Sequence, residues 1–352
     1  MSDKQKAVLS LTLVQQSCNE TLAALAPQPS HQTVDVLHKD LVVLCTLLRA
    51  ATTKLSLALK PSSPTYSASL SPLKDLADHV FALFHCANMF DPTIHGTTLV
   101  TEIVALVRDA IESIRALVQT FLDVETNDAR QSSGQAGDEY MVRTAAVHSV
   151  LDKARELPTN NLLAVRKRWS EDAASIDDGL REVGDMVEDA ESPGDSDDTM
   201  FDDGWDELGL GEHKKMDPEE LARSKQVHGI LRLSTLLHKR ILSDVLSIAR
   251  EPSSNTTLDT MSSLSHALLS ASDELVSTLY TPQDSVNMDA EVRSFRKIIS
   301  DLQASVVDTE SLETQLEGLS LGRNNGSKKW FDACFVQIFK ALDALVVTLR
   351  PT

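Results

Sequence analysis

The feature that most constrains the fold is a set of long runs in which apolar residues recur every three or four positions. The clearest run extends from about residue 30 to residue 60. Such spacing places the apolar side chains on one helix face, where a bundle can bury them. No glycine precedes Gly96, and the early prolines lie between the runs, as expected for long helices joined by short turns. The stripe of this run consists of Val34, Leu37, Leu41, Leu44, Leu48, Ala51, Leu55 and Ala58.

The same pattern predicts helices along nearly the whole chain and no β-sheet, because no stretch alternates apolar and polar residues. A loop rich in serine and proline is predicted from Pro61 to Pro72. The sequence therefore favours an all-α fold of two packed helical bundles made of long antiparallel helices. The predicted helices cover about residues 3–26, 30–60, 73–90, 97–124, 139–157, 161–185, 217–250, 258–280, 284–307 (with continuation past Leu316 as an alternative) and 327–349.

One acidic segment divides the two predicted bundles. Of the 52 acidic residues in this 352-residue chain, twelve lie between Asp185 and Glu212, where no lysine or arginine occurs. Charge repulsion and four glycines predict an acidic disordered linker at residues 185–216. The predicted domains are an N-terminal helical bundle at 1–184 and a C-terminal helical bundle at 217–352.

Charge and hydropathy narrow the classes of partner. The formal net charge of −19 repels phosphate backbones, so we expect no direct binding of nucleic acid. We find no uninterrupted apolar run of about 20 residues, which is the length of a membrane span, so no membrane partner is expected. The four widely spaced cysteines predict buried free thiols in a reducing compartment.

No pattern of catalytic or cofactor-binding residues is present in the sequence. It lacks a glycine-rich phosphate loop, a nucleophile-elbow motif and a zinc-protease motif. The spacing of His79, His85, Cys86 and His95 matches no zinc site. We therefore expect a protein that is not an enzyme, with no catalytic residues, no cofactor and no metal.

The acidic segment contains the sharpest local motif. Phe201, Trp205 and Leu208 have the i, i+4, i+7 spacing of an amphipathic helix that docks in a partner groove. As an extended strand, Trp205 and Leu208 with the acidic Asp202 and Asp203 look like the W-x-x-L motif that binds autophagy ubiquitin-like proteins. A third interpretation is that Trp205 folds back onto this chain's own bundle.

Ser192 and Thr199 are the predicted phosphorylation sites. Ser192 precedes a proline, and both residues have an acidic residue three positions later. Each phosphate would add about −1.5 to −2 units of charge to the segment.

Two other features have a structural and a functional interpretation. L-x-x-L-L strings at Leu44–Leu48 and Leu233–Leu237 could dock in partner grooves, but both lie within long stripes, which favours core packing. The basic cluster Arg166–Arg168 could be a nuclear-import patch, a dock for the acidic segment or a solvated helix face.

The sequence combines a helical N-terminal half, an acidic linker and a helical C-terminal half. Its most distinctive stretches are Arg223–Leu231 continuing to Ile241, Ser272–Tyr280 followed by Pro282, Trp330–Ile338 and, more loosely, Ala51–Pro61. Together these features resemble the cyclin-D-interacting protein family over nearly the whole chain.

The resemblance implies a non-enzymatic interaction protein of the nucleus and cytoplasm. It implies a negative regulator of cell-cycle entry whose partners are D-type cyclins and helix-loop-helix transcription factors. The runner-up interpretation is a cytoskeletal or adhesion-associated bundle, because the long Ser/Thr/Ala-rich helices also look like vinculin and α-catenin domains.

Overall fold

The fold was obtained as a computed structural model that describes residues 1–30, 32–126, 138–192, 216–247, 254–316 and 324–350. These residues form α-helices and no strand, so the predicted all-α class is confirmed. The helices are α1 Asp3–Ala24, α2 Val34–Ala58, α3 Tyr66–Asn88, α4 Pro92–His95, α5 Thr97–Thr126, α6 Glu139–Asp152, α7 Asn161–Glu191, α8 Pro218–Asp244, α9 Asn255–Ser277, α10 Ser285–Leu316 and α11 Asn324–Leu349, with a 3₁₀ turn at Lys153–Glu156.

Side-chain caps set several helix starts. At α8 the Asp217 carboxylate accepts a hydrogen bond from the Glu220 backbone N–H, and the Glu220 carboxylate accepts one from the Asp217 backbone N–H. Pro218 occupies the first helical position, where its missing N–H costs nothing. The start predicted from these residues is therefore confirmed.

Two predicted helix boundaries were wrong. The helix α3 begins at Tyr66, so most of the predicted 61–72 loop is helical and Pro72 lies inside the helix. Burial explains this start, because Ser69, Pro72 and Leu73 all face the interior of the bundle. The helix α7 continues to Glu191, beyond the predicted end at Asp185, and thus includes the first residues of the predicted linker.

The chain divides into two compact units, residues 1–164 and 165–352. In the first, neighbouring helices form a closed ring in the order α1, α3, α2, α6, α5 and back to α1. Cys86 Sγ near the end of α3 donates to the Leu37 carbonyl near the start of α2, so these two helices run antiparallel. The ring encloses a contiguous apolar core that includes Leu41, Leu48, Leu76 and Leu83.

In the second unit, α8, α9, α10 and α11 form a four-helix ring in which α8 contacts α11 and α9 contacts α10. The helix α7 adds to this ring through its buried side chains Val165, Trp169, Asp172, Ile176 and Val183. Hydrogen bonds join it to both α8 and α9. The division at residue 164 therefore differs from the predicted bundle boundary at residue 184, because α7 packs with the C-terminal helices.

The helix α2 is long and apolar enough to cross a membrane, which differs from the expectation that no such segment exists. Only the length and composition of α2 support a membrane-spanning role. In its most apolar 18-residue stretch, 44% of the residues are buried within the protein. Leu41, Leu48 and Leu55 on this helix are fully buried core residues. A buried core helix has the same length and hydropathy, so these two properties do not distinguish a core helix from a membrane span.

Candidate protein-binding face

The helix α3 lies between α1 and α2 and exposes its outer side. Leu76, Val80 and Leu83 on its inner side are fully buried, whereas the Phe81 side chain is 62% exposed. A phenylalanine this exposed is unusual, because burying its ring is strongly favourable. Grooves lie on both sides of α3, and we call the outer side of α3 with these two grooves the α3 face.

The groove between α1 and α3 has a volume of about 180 Å³. The rings of Phe81 and Phe84 lie 6.1 Å apart, tilted by 43°. Residues Ser17, Glu20, Thr21 and Ala24 of α1 form the opposite wall. An aromatic pair beside small residues is an arrangement into which a partner side chain can insert.

The groove between α2 and α3 is larger, about 330 Å³. The side chains of Val43 and Leu47 are 56% and 41% exposed, and Val36 lies two turns before Val43 on the same side of α2. The groove thus forms an apolar channel between two antiparallel helices. Its lining residues are Gln32, Leu37, Asp40, Val43, Leu44, Ala82, His85, Cys86 and Met89.

The first L-x-x-L-L string contributes Leu44 to this groove, and its three leucines have three environments. Leu48 belongs to the core, Leu44 is half-buried in the groove wall, and Leu47 is exposed. Core packing therefore accounts for Leu48 but not for Leu47. In the second string Leu237 is fully buried and Leu236 is 48% exposed.

The Cys86 thiol in the wall of the α2–α3 groove is unsuited to nucleophilic chemistry. Burial, with a smaller contribution from the nearby Asp40 carboxylate, raises its pKa to about 11. A thiol with so high a pKa stays protonated at neutral pH, whereas a reactive cysteine needs the thiolate. The predicted buried state of all four cysteines is confirmed, and none forms a disulfide.

The histidines of this region do not assemble a metal site. His95 is buried, and its Nε2 donates to the Gln32 carbonyl at 2.9 Å. Across the described residues, no group of three or more histidine, cysteine or acidic side chains is arranged to hold a metal ion.

The second unit contains a buried polar chain that the sequence analysis missed. The indole N–H of Trp169 donates to the His238 carbonyl at 2.9 Å, and the two rings stack 4.4 Å apart. His238 Nε2 donates to Ser265 Oγ at 2.8 Å, and Ser265 Oγ donates to Asp172 Oδ2 at 2.5 Å. The only sequence signal was that serine, histidine and aspartate occupy positions on otherwise apolar stripes.

The buried polar chain has a structural role. All four residues are at most 6% exposed, so no substrate reaches them. The serine hydroxyl donates to the carboxylate, whereas a catalytic serine would donate to the histidine. Burial lowers the pKa of His238 to about 3, so its imidazole is neutral at physiological pH.

The predicted linker motif lies outside the described residues. This applies to Phe201, Asp202, Asp203, Trp205 and Leu208, and both docking interpretations, like the fold-back alternative, stay predictions. The predicted phosphorylation site Thr199 also lies outside them.

Ser192 directly follows α7, and its hydroxyl donates to the Glu188 carbonyl at 3.0 Å. A phosphate there would add negative charge at a helix C-terminus beside acidic side chains, which is unfavourable. The modification itself stays a prediction.

The basic cluster is partly committed to internal contacts. Arg166 Nη1 donates to the Leu242 carbonyl at 3.1 Å and also to the Leu246 carbonyl, which satisfies acceptors at the end of α8. Lys167 lies 3.9 Å from Glu171. Arg166 therefore acts as a helix cap within the second unit and is not part of a free basic patch.

Helical bundles with an exposed apolar groove are a class of protein-binding scaffold. A family model described as the N-terminal part of the Grap2 and cyclin-D-interacting family matches residues 40–189, and its C-terminal counterpart matches residues 201–304. The two models cover most of the chain, so this protein belongs to the Grap2 and cyclin-D-interacting family, and the resemblance is confirmed. Comparison with curated proteins gives no match.

The family models divide the chain within the acidic segment, between residues 189 and 201. The compact units divide at residue 164, near the start of α7. The helix α7 is therefore matched by the N-terminal family model but packs with the C-terminal helices. The helix α3 and most of α2 lie inside the N-terminal match.

Proposed function

We propose that this protein is a non-enzymatic adaptor that binds a D-type cyclin through the α3 face. By holding the cyclin, it restrains entry into the cell cycle. Helix-loop-helix transcription factors form a second class of partner, and the protein acts in both nucleus and cytoplasm. The observation that carries this proposal is the family match, because the family is described by its interaction with cyclin D.

The α3 face is the surface best suited to such an interaction. Binding energy at protein interfaces is concentrated in a few large side chains that fill pockets near the centre. Phe81 is the most exposed aromatic side chain among the large exposed hydrophobics of the described residues, and it lines the α1–α3 groove. Binding there would bury Phe81, Val43 and Leu47 together, which provides a driving force.

Binding of the purified full-length protein to a D-type cyclin tests the proposal. We expect Phe81→Ala and Val43→Asp each to weaken binding about tenfold or more, because truncating an anchor or burying a charge in an apolar interface is costly. The matched control is Val336→Asp on α11. Val336 is 60% exposed, close to the 56% of Val43, but lies in the other unit.

Circular dichroism of each variant shows whether it is folded. Equal losses in Val43→Asp and Val336→Asp would reject the α3 face as the binding surface. Failure of the folded wild-type protein to bind any D-type cyclin would reject the partner. Co-sedimentation of the same protein with filamentous actin would favour the cytoskeletal class instead.

A further inference from the structure

We propose that the α2–α3 groove binds a basic amphipathic helix supplied by the partner. This inference rests on the proposed function, and it names the chemistry of the segment that the α3 face recognises. The occupant follows from three properties of the groove, namely its length, its apolar lining and the charges along its edges.

The length and shape of the groove suit a short helix. From Leu37 to Leu44 its lining follows α2 for about 10 Å, given a rise of 1.5 Å per residue, which is two helical turns. The antiparallel α3 forms the opposite wall with Ala82 and Met89. A helix lying in a groove presents apolar anchors at i, i+3 or i+4, and i+7, and these anchors span the two turns of this apolar channel.

The charged side chains along the groove are mostly acidic, although Lys39 lies one turn before Val43 on α2. Asp40 lines it near the Cys86 end. Towards the other end, Asp75 lies two helical turns before Ala82 on α3 and Asp78 lies two turns before His85, so they follow the same faces. Within the described residues none of these three carboxylates forms an ion pair, and Lys74 is the one amine on these faces of α3.

Unpaired carboxylates beside an apolar groove favour a helix whose polar positions carry lysine or arginine. Complementary charges speed association and select the partner. An acidic amphipathic helix of the same shape would bring like charges together, which is unfavourable. The groove therefore distinguishes between helices by the sign of their charge.

The experiment uses three synthetic peptides of about 18 residues, which is enough for four to five turns. The first carries leucines at i, i+3, i+7 and i+10 with lysines at the flanking positions. The second replaces each lysine by glutamate, and the third is the lysine peptide with a central proline that breaks the helix. Binding of each peptide to the full-length protein is measured by fluorescence anisotropy at two salt concentrations.

Because the whole chain carries a charge of −19, a lysine peptide could also be attracted without docking. The decisive comparison therefore uses two double variants that change the net charge equally. One is Asp40→Lys/Asp78→Lys at the groove, and the other is Asp301→Lys/Asp332→Lys on exposed positions of the second unit. We expect the groove variant to weaken the lysine peptide about tenfold and the control variant to leave it within about twofold.

Three outcomes would overturn the inference. They are no binding of the lysine peptide, equal weakening by the two double variants, and undiminished binding of the proline or glutamate peptide. Its failure is distinguishable from failure of the proposed function, because cyclin binding is measured separately with Val43→Asp. Loss of the cyclin in that variant, together with no peptide binding, would retain the cyclin proposal and reject the basic helix.

Discussion

The interiors of the two units differ in what holds them together. In the first unit the core is a continuous apolar cluster. Buried hydroxyls such as Thr21, Ser69 and Thr120 donate to carbonyls of their own helices, and the Ser56–Thr144 hydroxyl pair joins α2 to α6. In the second unit a polar chain joins three helices, from Trp169 on α7 through His238 on α8 to Ser265 on α9 and back to Asp172 on α7.

The difference between the two interiors affects how precisely each one fixes the arrangement of its helices. Apolar side chains drive burial but accept many arrangements, whereas a buried polar group is stable only with its partner in place. The polar chain therefore favours the position of α7 in which Trp169 and Asp172 meet their partners on α8 and α9. A second polar cluster works in the same way, because Gln283 bonds to Glu220, Arg223 and Ser224 and so ties the α9–α10 turn to the start of α8.

Removing the largest side chain of the polar chain gives the strongest test of this difference between the two interiors. Trp169 is fully buried, so Trp169→Ala loses apolar burial, the stacking on His238 and a hydrogen bond. We expect the free energy of unfolding to fall by about 3–5 kcal/mol. Urea denaturation followed by circular dichroism measures it, with Leu48→Ala in the first unit as the apolar comparison, at about 2–5 kcal/mol.

Trp169→Phe separates the two contributions, because it keeps an aromatic ring but lacks the N–H. We expect this variant to lose about 1–2 kcal/mol, because it loses the bond from the indole N–H and part of the buried ring, while the His238 carbonyl keeps its helical bond. A Trp169→Phe variant as stable as wild type would show that the polar bond adds nothing, and the two interiors would then be equivalent.

Acid should act on the second unit through His238. Its pKa is about 3 in the folded protein and about 6.5 when unfolded, so below pH 6.5 the unfolded chain binds a proton that the folded chain does not. The contribution of His238 to stability is therefore fully present above pH 6.5 and falls by about 1.4 kcal/mol per pH unit towards pH 3. Between pH 7 and pH 5 this loss is about 2 kcal/mol.

The measurement compares wild type with His238→Gln by urea denaturation at pH 7 and pH 5. The carboxylates titrate equally in the two proteins, so the difference between them isolates the histidine. We expect His238→Gln to lose about 2 kcal/mol less over this interval. Identical pH dependence would mean that His238 takes up a proton within the folded unit.

A smaller effect should distinguish two buried serines of α9. The Ser265 hydroxyl joins His238 to Asp172, whereas the Ser272 hydroxyl donates to the Leu268 carbonyl of its own helix at 2.7 Å. Ser265→Ala leaves a carboxylate and an imidazole N–H unpaired, but Ser272→Ala leaves a carbonyl that keeps its helical bond. We expect Ser265→Ala to cost about 1–2 kcal/mol more in thermal or urea unfolding. Equal costs would contradict a role for the chain in fixing α7.

The sequence pattern was sufficient for the apolar part of this fold. The stripe from Val34 to Ala58 predicted α2 and its buried face, and Asp217 with Pro218 predicted the start of α8, because these signals are local. The polar chain was not predictable, since periodicity shows that His238 lies on a buried face but not which residue it meets. The α3 face was missed for the same reason, because the exposure of Phe81 depends on how α1 and α2 flank α3.

The end of α7 shows how a local signal misled the sequence analysis. Glu188, Asp189 and Glu191 repel one another and are unfavourable at a helix C-terminus, so a helix end near Asp185 was the reasonable expectation. The helix continues because Val183 is fully buried, and because Lys225 of α8 forms an ion pair with Glu191. Tertiary contacts outweighed the local charge pattern.

The smallest predicted effect tests that account of α7. Both partners of the Lys225–Glu191 pair are about half exposed, so Lys225→Ala should cost less than about 1 kcal/mol in global stability. Its effect should instead be local, because the last turn of α7 would lose its nearest cation. We expect amide hydrogen exchange to rise a few-fold at residues 188–191 and to stay unchanged near Trp169.

Arg181→Ala is the control, because its ion pair with Asp178 lies within α7 and does not reach α8. Added salt should produce the same local change in wild type and little further change in Lys225→Ala. If exchange at 188–191 is the same in wild type and Lys225→Ala, the burial of Val183 alone extends α7, and the ion pair has no part in setting its end.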